Sequence, residues 1–376
     1  MIRVWFLVMV VGVLLLPFFD LPPMSSQLSI GEEEESIMQV SQTPSPVLRG
    51  NLAVRLIFIN STTLEIIAYD PATDTHTPLF VCPDGCYDPS MDNFGRIGFV
   101  TDIGFGIYTP SLDDYAQFPA DFGVYGYKGG VAFRDDLAYV AYEARFDMNS
   151  RLMLMDLSSG QITDLYSAGV GNPTWSSDGN AILSSTGTSL ITIPINGDDP
   201  ITDIIYTPTI AFPTMPSQFY TTMFTDLVTP FGEGLLYRGS NEFGYWLFLN
   251  LAGATIEIAS APAIMRYATS ESAGMVGIIT YDPRDGIYEV QVIDIESKNS
   301  FTSPKPNRIT SQRTEIFDLA LSHDGRYVAW IAENTDLGFG FYDLWITDLS
   351  IEDSTPNRIA EAITNSSVRP SGMIFR

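Results

Sequence analysis

A short unit recurs along this chain and limits what it can fold into. Its clearest copy is P-T-W-S-S-D-G-N-A-I-L, from Pro173 to Leu183, and a second reads L-A-L-S-H-D-G-R-Y-V-A-W, from Leu319 to Trp330. A weaker copy, D-P-S-M-D-N-F-G-R-I-G-F, runs from Asp88 to Phe99. Degenerate copies surround Arg134 to Tyr142, Pro230 to Tyr237 and Ser270 to Ile279, and the chain ends on S-V-R-P-S-G-M-I-F-R. A second signature follows each unit, a strand running into an acidic or polar turn. It is clear at Ile66 to Asp74, Leu152 to Gly160, Val290 to Ser297 and Leu344 to Ser350, and looser near Ile107, Leu190 and Leu247. These seven strand-turn units lie roughly 40–55 residues apart, around the spacing of propeller blades.

The chemistry of the unit explains the repeat. Asp-Gly at the tip tolerates positive φ, so two strands reverse tightly there. Asp178-Gly179 and Asp324-Gly325 hold those positions, and Trp175 and Trp330 are expected to pack between neighbouring repeats. Apolar runs rich in Val, Ile, Tyr and Phe alternate with Gly, Asp, Asn and Pro, and no long stretch keeps a helical period. The expectation is an all-β propeller of four-stranded blades, six to eight in number with seven favoured. Ser371 to Arg376 is expected to join the first N-terminal strands in one blade and close the ring.

The W-S-x-D-G-x-x-I/V unit, followed by a strand ending in Asp, resembles the WD-repeat-like propeller repeats of TolB and of prolyl-oligopeptidase-type enzymes. The resemblance spans about residues 50–376, strongly in two units and loosely elsewhere. It implies a ring platform that recognises a protein or peptide partner with one face. The sequence departs from both groups: only a short acidic stretch precedes the repeats where TolB has an α/β domain, and no room follows for a hydrolase domain.

Three segments are expected. Residues 1–20 contain Arg3 and an uncharged apolar run of about 16 residues, Val4 to Phe19, which suits a signal peptide or a retained N-terminal anchor. No small-x-small cleavage site follows, so both readings stay open; Arg3 favours export of what lies downstream. Residues 21–48, with Glu32 to Glu35 and several prolines and serines, read as an acidic disordered linker. Residues 49–376 form the propeller. The expected location is therefore extracytoplasmic, secreted or attached to the cytoplasmic membrane.

Net charge and cysteines bear on partners. A formal charge of −26 repels phosphate backbones and argues against nucleic acid. Cys82 and Cys86, in C-P-D-G-C, offer two ligands where a structural zinc usually takes four, and a disulfide closing this small loop is the better reading in an exported chain.

Signs of catalysis are sparse. There is no G-x-S-x-G elbow, and the two histidines, His76 and His323, read as surface residues. Asp70, Asp156, Asp178, Asp324 and Asp348 sit in turns and read as caps. No calcium loop or phosphate-cradling motif occurs, so no cofactor is expected. A non-enzymatic scaffold for a protein or ligand in the cell envelope is the leading expectation. A glycan-acting or metal-dependent hydrolase with paired carboxylates in the channel is the alternative, favoured if acidic side chains converge in one funnel. Tyr206 to Met223 stands out as a long insertion of the kind that carries binding.

Overall fold

The computed structural model describes residues 55–123, 130–146, 149–167, 171–185, 189–197, 199–204, 224–241, 244–251, 254–295, 307–337, 340–351, 354–364 and 373–375. The expected leader and linker, residues 1–48, and the insertion at 206–223 lie outside them.

Among the described residues, twenty-eight strands make seven antiparallel sheets of four, arranged as the blades of a propeller. Each of the seven strand-turn units supplies the third strand of one blade and the turn into its fourth: Glu65–Asp70, Gly104–Thr109, Asn149–Asp156, Ser189–Pro194, Gly244–Leu251, Ile287–Asp294 and Tyr342–Asp348. Blades are numbered here from the one containing Leu56. The first strands of blades 2 to 7 are Tyr87–Met91, Val131–Phe133, Gly171–Trp175, Phe224–Phe231, Ile264–Ser270 and Ile316–Leu321. Blade 1 takes its first strand from the other end of the chain. Met373–Phe375 pairs antiparallel with Leu56–Phe58 and closes the ring.

The apolar cores lie between blades. Alternation along the second strand of blade 7 shows why: Val328, Trp330 and Ala332 pack with Ile279, Val290 and Val292 of blade 6. Ala329 and Ile331 point the other way and pack with Leu56, Phe58 and Phe375 of blade 1. A strand with both faces apolar must be covered twice, and a ring of neighbours does so without leaving an edge of the core in water. Polar ties add register. Trp175 Nε1 donates to the Ala132 carbonyl at 2.9 Å, and Arg96 Nη2 donates to the Asp136 carbonyl at 2.6 Å.

The two tryptophans of the repeat units are not equivalent. Trp175 ends a first strand, where blade 7 has Leu321, whereas Trp330 lies in a second strand. The turns are equivalent. Gly179 (φ 67°) donates to the Ser176 carbonyl at 2.9 Å, and Gly325 (φ 68°) donates to the Ser322 carbonyl at 2.9 Å. Ser176 Oγ donates to Asp178 and Ser322 Oγ to Asp324, each at 2.6 Å. Cys82 and Cys86 are bonded to each other in the connector from blade 1 to blade 2.

Trp330 is 1% exposed at the interface of blades 6 and 7. Trp330→Ala is expected to cost about 3–5 kcal/mol, read as a lowered midpoint in urea unfolding.

Candidate functional site

Propeller geometry sends the first strand of every blade toward the axis, so its residues line the channel. In blades 2, 4, 5, 6 and 7 this strand slips against the second by a bulge, at Tyr87/Ser90, Gly171/Thr174, Thr225/Leu227, Ile264/Arg266 and Ile316/Asp318. Bulges re-aim side chains, and they concentrate beside functional sites. Counted back from the turn into the second strand, Asp88, Gly130, Asn172, Leu227, Arg266 and Asp318 stand at corresponding places in six of the first strands.

Backbone demands explain part of this set. Asp88, Gly130 and Asn172 have φ of 45°, 77° and 49°, a region that Gly, Asn and Asp enter most readily. Arg266 and Asp318 have no such φ. Their charges answer to something other than local conformation.

Three of the six are charged and feel one another across the channel. Burial raises the Asp318 carboxyl to about 7; Arg266 opposes the rise and the like charge of Asp88 adds to it. Burial raises Asp88 to about 6, again opposed by Arg266. Asp88 keeps considerable surface in contact with channel water while protein surrounds it on most sides. Enclosure by protein on most sides weakens solvation of the charge and raises the carboxyl. Asp318 accepts one hydrogen bond, from the Leu319 amide at 3.0 Å, and forms no ion pair among the described residues. Asp343 shows how this fold satisfies a buried acid when it needs to. Its carboxylate accepts two bonds from Asn334 Nδ2 (2.9 and 3.0 Å) and one from the Ala362 amide (2.8 Å), and pairs with Arg358 at 3.2 Å. Asp318 has none of that support.

Two to three residues further along the same strands, the channel opens on the face carrying the first turn of each blade. A concavity of about 710 Å³ spans blades 3 to 6 there, with Thr174, Thr229 and Thr269 on its inner wall. Its ionisable lining is Arg134, Asp135, Asp136, Asp178 and Glu271, one positive against four negative, a net of −3. Arg134 is already engaged. Its Nε and Nη2 donate to Asp136 at 2.7 and 2.6 Å, which holds that carboxyl below the usual range, and its guanidinium lies over Tyr139 and Trp175, 4.5 and 5.8 Å from the ring centres. The mouth therefore presents an acidic surface.

Of the residues singled out in the sequence, Trp175, Asp178 and Gly179 line this mouth. Asp324 and Gly325 form the corresponding turn of blade 7, and Trp330 is core. The Cys82–Cys86 loop, joining the last strand of blade 1 to the first of blade 2, lies at the opposite face. His76 and His323 are exposed. Asp70, Asp156 and Asp348 cap turns, accepting from the amides of Ala72, Ser158 and Ser350 at 2.8, 2.7 and 2.9 Å. Asp88, Arg266 and Asp318 were not among the candidates. The signal that finds the two acids is positional. Asp88, Asn172 and Asp318 each stand four residues before the first acceptor of the turn, Asp92, Ser176 and Ser322.

No family model matches the chain, and no curated protein matches it. Solved structures do match. An oligogalacturonate lyase in complex with manganese is 10% identical with a TM-score of 0.54, covering 79% of this chain and 90% of its own. A prolyl endopeptidase is 10% identical with a TM-score of 0.52, covering 84% of this chain and 49% of its own, so the likeness spans about half of that enzyme. TolB from Acinetobacter baumannii is 12% identical with a TM-score of 0.47, covering 87% of this chain and 67% of its own. At these identities the lyase and the endopeptidase, with TM-scores above 0.5, are likenesses of fold alone.

A carboxyl whose folded value is raised keeps a proton that the unfolded chain has given up. Its contribution to stability is complete below about pH 4 and is lost as pH climbs through 6 and 7. Asp318→Asn is therefore expected to raise the melting temperature by roughly 2–4 °C at pH 8. At pH 4.5 the same comparison by differential scanning calorimetry should show little difference.

Proposed function

We propose that this chain is an extracytoplasmic binding propeller that takes a segment of a protein partner into the turn-side mouth of its channel. The concavity of about 710 Å³ carries the reading. It lies within the range of ligand sites, and four blades build it, so a rigid ring positions every wall. Turns held by a scaffold are also where binding residues concentrate. The acidic surface disfavours nucleic acid as the partner. Placement outside the cytoplasm is supported by the Cys82–Cys86 bond and by the apolar run of Val4 to Phe19, which serves as signal or anchor in this reading.

A photo-crosslinking residue at Ser177, in the mouth, is expected to trap one envelope protein in the native host. Asp285, in a turn on the opposite face, should trap none, and Glu271→Lys in the mouth should abolish capture from Ser177. Equal capture from both faces, or capture indifferent to Glu271→Lys, would count against the reading.

A second reading, the hydrolase alternative, draws support from Asp88 and Asp318, two acids raised by burial whose charges interact with Arg266. That second reading expects the purified protein to cleave neutral polysaccharides and to lose the activity in both Asp88→Asn and Asp318→Asn. Absence of reducing-end release across a panel of neutral glycans would remove it.

A further inference from the structure

We propose that the face opposite the mouth carries a second docking site, formed by Leu64, Val81 and Ile103, for a protein partner that presents aliphatic side chains flanked by lysine or arginine. The inference is independent of the mouth reading.

Backbone conformation at Leu64 is the first argument. A four-residue turn with its last residue at positive φ recurs between Asn60 and Glu65, Asp70 and Thr75, Thr109 and Asp114, Ser270 and Met275, and Asp282 and Ile287. That last residue is Asp74, Asp113, Gly274 or Gly286 in four of these turns, and Leu64, with φ 58°, in the fifth. Glycine enters this region freely, and Asp74 and Asp113 accept hydrogen bonds there from Tyr69 and Tyr108 at 2.9 and 3.0 Å. A bulky aliphatic residue is strained in it. Leu137 is the other leucine at positive φ, and it lies in the core at 2% exposure. Leu64 is 39% exposed and takes no part in the core between blades 1 and 2. Strain that packing does not explain points to function.

Its neighbours are the second. The Leu64 carbonyl accepts from the Cys82 amide at 2.8 Å, which brings Val81 beside it. The Asp84 carbonyl accepts from the Asp102 amide at 3.3 Å, which brings Ile103 to the tip of the same loop. Val81 is 45% and Ile103 51% exposed. Exposed apolar residues scattered singly carry no meaning, but these three share adjoining segments of blades 1 and 2. The Cys82–Cys86 bond closes a loop too short to constrain the unfolded chain much, and its effect is to hold this surface in shape.

Charge names the partner. The turns at 60–65 and 101–104 and the loop at 81–87 carry Glu65, Asp84 and Asp102, and no lysine or arginine. These carboxylates accept from neutral donors, Thr63, Gln117 and Tyr87, at 2.7, 3.2 and 2.8 Å, and none is ion-paired among the described residues. An apolar centre with an acidic rim is complementary to an apolar centre with a basic rim. A second copy of the chain would set acid against acid, and an anionic lipid surface meets the same repulsion.

The probe is an octapeptide alternating lysine and leucine, titrated calorimetrically against the full chain at physiological salt. Beside it stand one alternating lysine and serine and one alternating glutamate and leucine. The lysine–leucine peptide is expected to bind, and the other two about tenfold more weakly or not at all. Leu64→Gly should weaken binding about tenfold while raising the melting temperature by roughly 1–3 °C, a combination that a structural role would not give. Ile103→Ser should weaken binding as well, and Leu112→Ser, exposed on the mouth face, should leave it unchanged. Leu64→Gly that binds as the parent does, or that melts at a lower temperature, would overturn the proposal. Leu64-dependent self-association in sedimentation equilibrium would overturn the assigned partner in favour of a second copy. Leu64-dependent binding to phosphatidylcholine vesicles would do so in favour of a lipid surface. The mouth reading stands or falls separately, on capture from Ser177.

Discussion

Every blade of this ring is apolar on both faces, and neither face can be covered within the blade. Ile57 and Ile59 turn toward blade 2 while Leu56 and Phe58, between and beside them in sequence, turn toward blade 7. The same division recurs around the ring, with Val140 facing blade 2 and Ala141 facing blade 4. Period-two alternation thus becomes a circular arrangement, since each sheet needs two neighbours and only a closed ring provides them to all. The strand Met373–Phe375 completes the last such pairing, and Phe375 sits in the core between blades 7 and 1.

That requirement has a consequence at the axis. Sheets held radially bring their first strands together, so residues far apart in sequence meet at one level. Asp88, Arg266 and Asp318 do so from blades 2, 6 and 7. The interblade cores hold these strands, and the channel charges cannot move apart to relieve one another. A carboxylate in this position weakens the fold near neutral pH, which suits a group kept for what it binds.

Much of the fold was legible because blade architecture is local. Asp-Gly turns and strands ending in Asp appear as short words, and the seven strand-turn units correspond one for one to third strands. Tryptophan was a poorer guide. Trp175 and Trp330 lie on opposite sides of their Asp-Gly turns and occupy different strands, because large apolar residues fill whichever position of an interblade core has room. The acidic turns were read as caps, and Asp70, Asp156 and Asp348 do cap them.

The channel was not legible in the same way. Its residues are brought together by closure of the ring, and nothing in the spacing of 88, 266 and 318 announces that they meet. Asp88 opened one of the repeat units quoted from the sequence, and Asp318 lay one residue outside another. Their shared offset from the turn carried the information.

The carbon-detected NMR titration of the aspartate carboxyl groups tests this account most directly. The account predicts two coupled steps, near pH 6 and 7, that vanish when Asp88 and Asp318 are both replaced by Asn and move upward when Arg266 is replaced by Met. Ionisation of every aspartate below about pH 5 would contradict it.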